Sequence, residues 1–161
     1  MDKHNEKSLE EAAAESVAQD LAQDLAQDCA DAMWRGDSCS KALGISILDI
    51  APGYARLSLK VRADMLNGQG NCHGGIMFTL ADSAFAFSCN TYNQFTVAQH
   101  CDISFLQPVA EGTTLIATAQ ERWREGRGGI YDVSVSTSDG QIVAEFRGRS
   151  RTVPGQHVEQ C

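Results

Sequence analysis

At 161 residues the chain is the length of one domain, long enough to bury a core, and its 43% hydrophobic content is ordinary for a globular protein. Its net charge of −8 disfavours nucleic acid as a partner. No apolar run spans a bilayer free of polar residues, and the acidic start lacks an apolar leader, so the expected location is the cytosol, with no membrane partner. The charge is uneven: residues 1–40 carry ten acids and three bases, and the rest is close to neutral. Residues 1–8 are expected to be unstructured. From Leu9 to Met33 the Ala/Glu/Gln/Leu composition predicts a helix, with a four-residue repeat at Leu21–Asp28. Val17, Leu21, Leu25 and Cys29 recur at i+4, which predicts one docking stripe. Gly36 and Asp37 end the helix.

Strand patterns follow. Ile45–Ile50 and Tyr54–Val61 form an expected hairpin around Pro52-Gly53. In its second arm Ala55, Leu57, Leu59 and Val61 alternate with Arg56, Ser58, Lys60 and Arg62, the signature of a half-buried strand. Further strands are expected at Phe95–Phe105, Thr113–Trp123, Ile130–Ser136 and Ile142–Val153, with Asp139-Gly140 as a hairpin turn. The chain divides into an acidic extension (1–32), a main domain (33–153) and a short tail (154–161). Six cysteines, at 29, 39, 72, 89, 101 and 161, form no Cys-x-x-Cys pair and no zinc-finger spacing, so reduced thiols and no metal are expected.

Between these strands lies the stretch Asn67–Asn90, NGQGNCHGGIMFTLADSAFAFSCN. Its apolar part is too long for one strand and predicts a helix beginning near Gly75, apolar on every side and therefore buried on every side. One acid, Asp82, sits on it, and a buried carboxylate is costly unless paired or used. Strands on both sides of one long buried helix predict an α+β fold in which an antiparallel sheet wraps that helix. The helix start offers unpartnered N–H groups and favours negative charge, and Gly74 and Gly75 allow close approach. His73 and Asp82 are nine residues apart, roughly 13 Å along a helix and half a turn round it. One small reacting group cannot touch both on one helix. Either one of them is idle, or two copies share a site.

The run Asn67-Gly68…Gly70-Asn71-Cys72-His73-Gly74-Gly75…Leu80-Ala81-Asp82…Ala84-Phe85-Ala86…Asn90 resembles the hotdog-fold acyl-CoA thioesterases of the phenylacetic acid degradation (PaaI) type. The resemblance extends upstream through Met33-Trp34…Cys39-Ser40…Leu43-Gly44-Ile45. Downstream it includes Asp102-Ile103…Phe105-Leu106…Pro108, Gly129…Tyr131-Asp132-Val133 and Phe146-Arg147-Gly148, and it covers roughly residues 30 to 153. Gln69 stands where many relatives carry His, and Asn71 where Thr or an apolar residue is common. The resemblance implies a hotdog fold with an extra N-terminal helix, and hydrolysis of phenylacetyl-type or medium-chain acyl-CoA. It implies Asp82 as the acid, with Asn67, His73 and Gly74 around the carbonyl, and Asp82 and Gly74 from different subunits of a homodimer that pairs into a tetramer.

Thioester hydrolysis needs a polarised carbonyl, an activated nucleophile and a grip on the carrier. The N–H of Gly74 or Gly75 suits the first. Asp82, as general base or as direct nucleophile forming an anhydride, suits the second. His73 either bonds the thioester oxygen, orients Asn67 or braces the turn; Asn67 either positions water or forms the turn. Ser83 and Thr79 lie within a turn of Asp82 and either bond it or bond back to the helix. Cys72 is a less favoured nucleophile.

For the grip, Arg122, Arg124 and Arg127 gather at one strand end, and Arg147, Arg149 and Arg151 alternate along the last strand. Guanidinium groups suit the phosphates of coenzyme A. Gly126-Arg127-Gly128-Gly129 reads as a pantetheine- or phosphate-wrapping loop or as a plain hairpin. Phe78, Phe85, Phe87 and Trp123 are expected in the core, one of them as a wall for an aromatic acyl group. No cofactor beyond the CoA of the substrate is expected. Two other readings remain: a hotdog enoyl-CoA hydratase, which needs a close Asp–His pair, and a non-catalytic acyl-CoA binding module, which does not need Asp82.

Overall fold

The computed structural model describes residues 3–159, with side chains from residue 12 onward. Helix α1 (Lys3–Gly36) and the short α2 (Ser38–Leu43) lead into β1 (Ser46–Ala51) and β2 (Tyr54–Lys60). A 3-10 turn (Ala63–Met65) and a loop then deliver α3 (Gly74–Cys89). Strands β3 (Thr96–Phe105), β4 (Thr114–Glu125), β5 (Gly128–Thr137) and β6 (Ile142–Thr152) complete the chain. The six strands make one antiparallel sheet in the order β1-β2-β4-β5-β6-β3, curled around α3. This is the α+β hotdog arrangement with an additional N-terminal helix.

Alternation fixes which sheet face meets α3. Ala55, Leu57 and Leu59 of β2, Leu115, Ala117 and Ala119 of β4, and Tyr131, Val133 and Val135 of β5 are all buried. Leu80, Ala81, Ala84 and Phe85 of α3 fill the concavity, and the Phe85 ring lies 5.5 Å from Tyr131 and 5.9 Å from Phe146. On β6, Phe146, Gly148 and Ser150 face inward while Arg147, Arg149 and Arg151 face outward. A Cβ at Gly148 would sit 2.8 Å from the Phe85 ring, so only glycine lets the helix seat at this depth.

Four expectations are corrected. The first is the unstructured start: α1 is helical from Lys3, as its Ala/Glu-rich composition permits, while Met1 and Asp2 lie outside the described residues. The second is the docking stripe. Val17 and Leu21 are 58% and 64% exposed, and the face that docks is Ala26, Cys29, Ala30, Met33 and Trp34, at i, i+3, i+4, i+7 and i+8. Two alanines let the helix approach the body more closely than leucines would.

The third is Trp123, which is 48% exposed: a register shift between Glu121 and Trp123 breaks the inward alternation of β4. The fourth is the all-round burial of α3. Gly75 is exposed, and Thr79, Asp82, Ser83 and Ala86 are half-buried, leaving an open strip along one side of the helix. Sequence reading also missed α2, although Asp37 caps its start by accepting from Ser40 N at 2.9 Å and Gly44 ends it at φ +74°.

Candidate active site

The approach to α3 is built by Asn67. Its N–H donates to Asn71 O at 2.7 Å, and its Oδ1 accepts from Gln69 N at 2.9 Å and Asn71 N at 3.2 Å. Leu66 and Cys72 bridge the base of this loop. Asn67 is therefore the turn-forming residue, and His73 does not orient it: the imidazole Nδ1 accepts from Gly75 N at 2.9 Å and caps α3. That bond leaves the ring proton on Nε2 and removes the Gly75 N–H from use. The Gly74 N–H, in the first helical position, has no acceptor among the described residues. It is an unspent donor at the positive end of a helix dipole.

Gly74 opens onto a cavity of about 370 Å³ whose other walls include Asn67, Gln69, Met77, Phe105, Leu106 and Pro108. The Phe105 ring lies so close that a Cβ at Gly74 would meet its Cζ at 3.0 Å. Phe105 was not anticipated, because no local pattern ties the end of β3 to the start of α3.

Asp82 does not line this cavity. It lies eight residues further along α3, roughly 12 Å away by helical rise. The Cys101 thiol, on the inward side of β3, donates to Asp82 Oδ1 at 3.7 Å. Burial raises the Asp82 carboxyl above the usual carboxylate range, and the thiol bond opposes that shift. Burial and the adjacent Asp82 charge push the Cys101 thiol up to about 11, so it stays a protonated donor at neutral pH. Cys101 is a second residue that sequence reading missed, since strand register alone places it here.

Neither nearby hydroxyl bonds Asp82. Thr79 Oγ1 donates back to Gly75 O at 2.8 Å, and Ser83 Oγ lies 3.3 Å from Ser40 Oγ, tying α3 to α2. Cys72 is buried, its thiol raised by desolvation and turned toward His73 O, which suits an inert thiol rather than a nucleophile.

The arginines lie elsewhere in the protomer. Arg122 and Arg147 both bind Asp132, at 3.0 and 2.6 Å, and Arg124 pairs with Glu121 and stacks 3.8 Å above the Tyr92 ring. Arg127 Nε donates to Thr152 O across a plain two-residue turn in which Glu125 pairs with Gly128. Arg149 and Arg151 are exposed on the outer sheet face, in register with His100 and Val97. From His100 to Phe105 is roughly 17 Å of strand. Within one chain, then, Arg127, Gly128, Arg149 and Arg151 are remote from Gly74. Among the described residues no three His, Cys, Asp or Glu side chains gather as a metal site, and no helix is long and apolar enough to cross a membrane. Cys29, Cys39, Cys72, Cys89 and Cys101 are free thiols.

β3 is an edge strand, ten residues long, with no neighbour on its outer side among the described residues. Exposed Phe95, Val97, Phe105 and Leu106 lie along it or at its ends. Such an edge is a template for pairing.

Comparison with known proteins agrees with this architecture. Residues 69–144 match the family model of the thioesterase superfamily. The acyl-coenzyme A thioesterase PaaI of Escherichia coli K12 is 45% identical over 126 residues, which is 78% of this chain and 90% of that protein. The structure of the E. coli PaaI protein from the phenylacetic acid degradation operon superposes with a TM-score of 0.82 at 43% identity, covering 83% of this chain and 97% of that one. A point mutant of the phenylacetic acid degradation protein PaaI from Thermus thermophilus gives a TM-score of 0.70 at 38% identity, covering 73% of this chain and 100% of that one.

Proposed function

The chain belongs to the thioesterase superfamily and is a thioester hydrolase, and from that premise we propose that it cleaves aryl- or medium-chain acyl-CoA to free acid and CoA in a site shared by two copies. The observation that carries this reading is the separation on α3 of an unspent N–H at Gly74 from a half-buried acid of raised pKa at Asp82. Neither is complete alone. Two β3 edges paired antiparallel about a twofold axis near Ile103 would put Phe105 of one strand opposite Cys101 of the other. Gly74 of a second copy then approaches the middle of β3, where Cys101 holds Asp82. The same pairing carries the Arg149 and Arg151 end of one sheet toward the Gly74 cavity of the other, where CoA phosphates would lie. Further pairing of dimers into a tetramer belongs to the same proposal.

In this site the Gly74 N–H holds the thioester oxygen as charge develops on it. Asp82 takes a proton from water, whose oxygen bonds the carbonyl carbon. The carbon–sulfur bond then breaks, and the thiolate takes up the proton as CoA leaves. In the alternative course Asp82 attacks first, and water cleaves the resulting anhydride. The base and the donor both come from the chain, so the reading requires no metal or redox cofactor. A hydratase would need an imidazole beside Asp82, whereas its hydrogen-bond partner is a thiol. The test is free-thiol release from a panel of acyl-CoA esters by wild type and Asp82→Asn, with ester binding measured in parallel. Loss of hydrolysis with binding retained supports the proposal; undiminished hydrolysis removes Asp82 from the mechanism. Solvent ¹⁸O incorporated into Asp82 during a single turnover distinguishes the anhydride course.

A further inference from the structure

Along β3 the side chains on the α3 side are Cys101, Ile103 and Phe105, in register with Gly148, Phe146 and Ala144 of the buried face of β6. Cys101 and Ile103 are half-buried, yet Phe105 is 51% exposed. A ring on the inward face of a sheet is ordinarily covered. Within one chain this ring is met at its tip, by the start of α3. A Cβ at Gly74 would lie 3.0 Å from the Phe105 Cζ and 3.3 Å from both Cε atoms. Glycine and ring are fitted to each other, and both line the cavity of about 370 Å³.

Pairing of β3 edges supplies the other side. Residues directly opposite in an antiparallel pair project from the same face, with Cβ atoms about 4.5–5.5 Å apart. Phe105 of one copy then stands beside Cys101 of the other, whose thiol donates to Asp82 Oδ1. One ring thus abuts the residue that carries the oxyanion donor on its own chain and flanks the thiol–carboxylate pair of the second copy.

We propose that Phe105 is a positioning residue of the shared site, its ring shielding the Gly74 N–H of its own chain and Asp82 of the second copy from bulk water. The inference rests on the shared-site reading and adds what surrounds the two reacting groups. A donor stabilises a developing oxyanion far more in a water-excluded site than in solvent. The same cover adds to the desolvation that raises the Asp82 carboxyl. Within the protomer the titratable side chains that feel Asp82 are Cys101 on β3 and Cys89 on α3. Burial pushes these thiols up to about 11 and about 12, so neither titrates near neutral pH. A second copy adds His73, whose Nδ1 is tied to Gly75 N.

The test compares wild type, Phe105→Ala and Phe105→Leu as full chains on acetyl-, phenylacetyl- and octanoyl-CoA, across pH and enzyme concentration. Phe105→Ala is expected to lower kcat about tenfold with KM nearly unchanged, a part of the roughly 10²–10³ that one oxyanion donor supplies. Water admitted beside Asp82 lowers its pKa, so the acid limb of the kcat/KM–pH profile is expected to move down. Phe105→Leu keeps the site dry and is expected to recover most of the rate and the wild-type limb. Should Phe105→Ala fail to fold, Phe105→Gln, polar and of similar length, takes its place with the same readouts. An unchanged kcat or a fixed limb overturns the inference while the hydrolase reading stands. So does a loss that disappears as enzyme concentration rises, which would make Phe105 a packing residue of the dimer. A wild type inactive on every ester overturns the acyl-CoA reading itself.

Discussion

The thiol of Cys101 donates a hydrogen bond to Oδ1 of Asp82 across 3.7 Å, and it is the only side chain that does so among the described residues. A donor stabilises the carboxylate, so it holds the Asp82 pKa below what burial alone would set. If Asp82 acts as a carboxylate, activity rises as pH climbs through its pKa. Cys101→Ala is therefore expected to move the acid limb of the kcat/KM–pH profile upward, and Cys101→Ser, with a stronger donor, downward. A limb that stays fixed in both variants would separate the thiol from the chemistry.

On the proposed mechanism, Asp82 trades stability for activity. Asp82→Asn is expected to lower kcat about 10²–10⁴-fold, the usual contribution of a positioned base. The carboxyl pKa is raised in the fold above its unfolded value of about 3.9. The folded state therefore prefers the protonated form, and that preference stabilises fully below the unfolded pKa and is lost as pH rises through the folded one. Asn carries no charge to bury. The variant is expected to melt at a higher temperature than wild type at pH 7, with the gap closing toward pH 4; calorimetry across that range checks it.

The Gly74 N–H can be removed with little change to the helix. Gly74 is the first helical residue, where proline is favoured, and His73 already has the extended conformation (φ −63°, ψ 133°) that must precede proline. Because a Cβ at residue 74 would meet the Phe105 ring at 3.0 Å, the comparison is made with Phe105→Ala as the background: there Gly74→Pro is expected to fold and to lose about 10²–10³ in kcat relative to Phe105→Ala alone, the cost of one oxyanion donor. If the site is shared, an equal mixture of Gly74→Pro and Asp82→Asn chains in that background, refolded together, should regain about a quarter of the Phe105→Ala activity, since half the dimers then carry one intact site of two. No recovery would place both groups in one subunit.

Much of this was legible from the residues alone. The Ala55–Val61 alternation, the Asp139-Gly140 turn and the start of α3 fell within about two residues of their observed positions, because each is a local preference that the fold also uses. The docking face of α1 was not, since the repeat offers leucines and alanines at the same spacing, and only the shape of the body chooses the smaller pair. Trp123 was misplaced by a bulge that no residue type announces. Phe105 at Gly74 and Cys101 at Asp82 are set by strand register across long separations. The capping role of His73, by contrast, was one of its stated options and needed only geometry to select it.

Between residues 12 and 24, α1 carries no visible load. Residues 12–24 are exposed throughout, apart from the reach of Gln23 Nε2 to Ile50 O at 2.6 Å. Deleting residues 1–22 is expected to shift unfolding stability by no more than about 0.5 kcal/mol and to leave turnover intact. Trimming to residue 34 removes Ala26, Cys29, Ala30 and Met33 from the core and is expected to lower the melting temperature by several degrees or more. Thermal melts of the two truncations check the contrast.

Gly148 occupies the middle of β6, opposite Cys101 on β3 and beneath Phe85 on α3. A methyl group there would act as a shim under the helix, tilting it away from the strand that carries the thiol. Because Asp82 and the Gly74 cavity are referenced to that one helix, the shim would throw both out of alignment together. In the site proposed above, the depth at which a single ring beds into the sheet would thereby calibrate the whole reaction path, from far inside the protein and without touching any reacting atom.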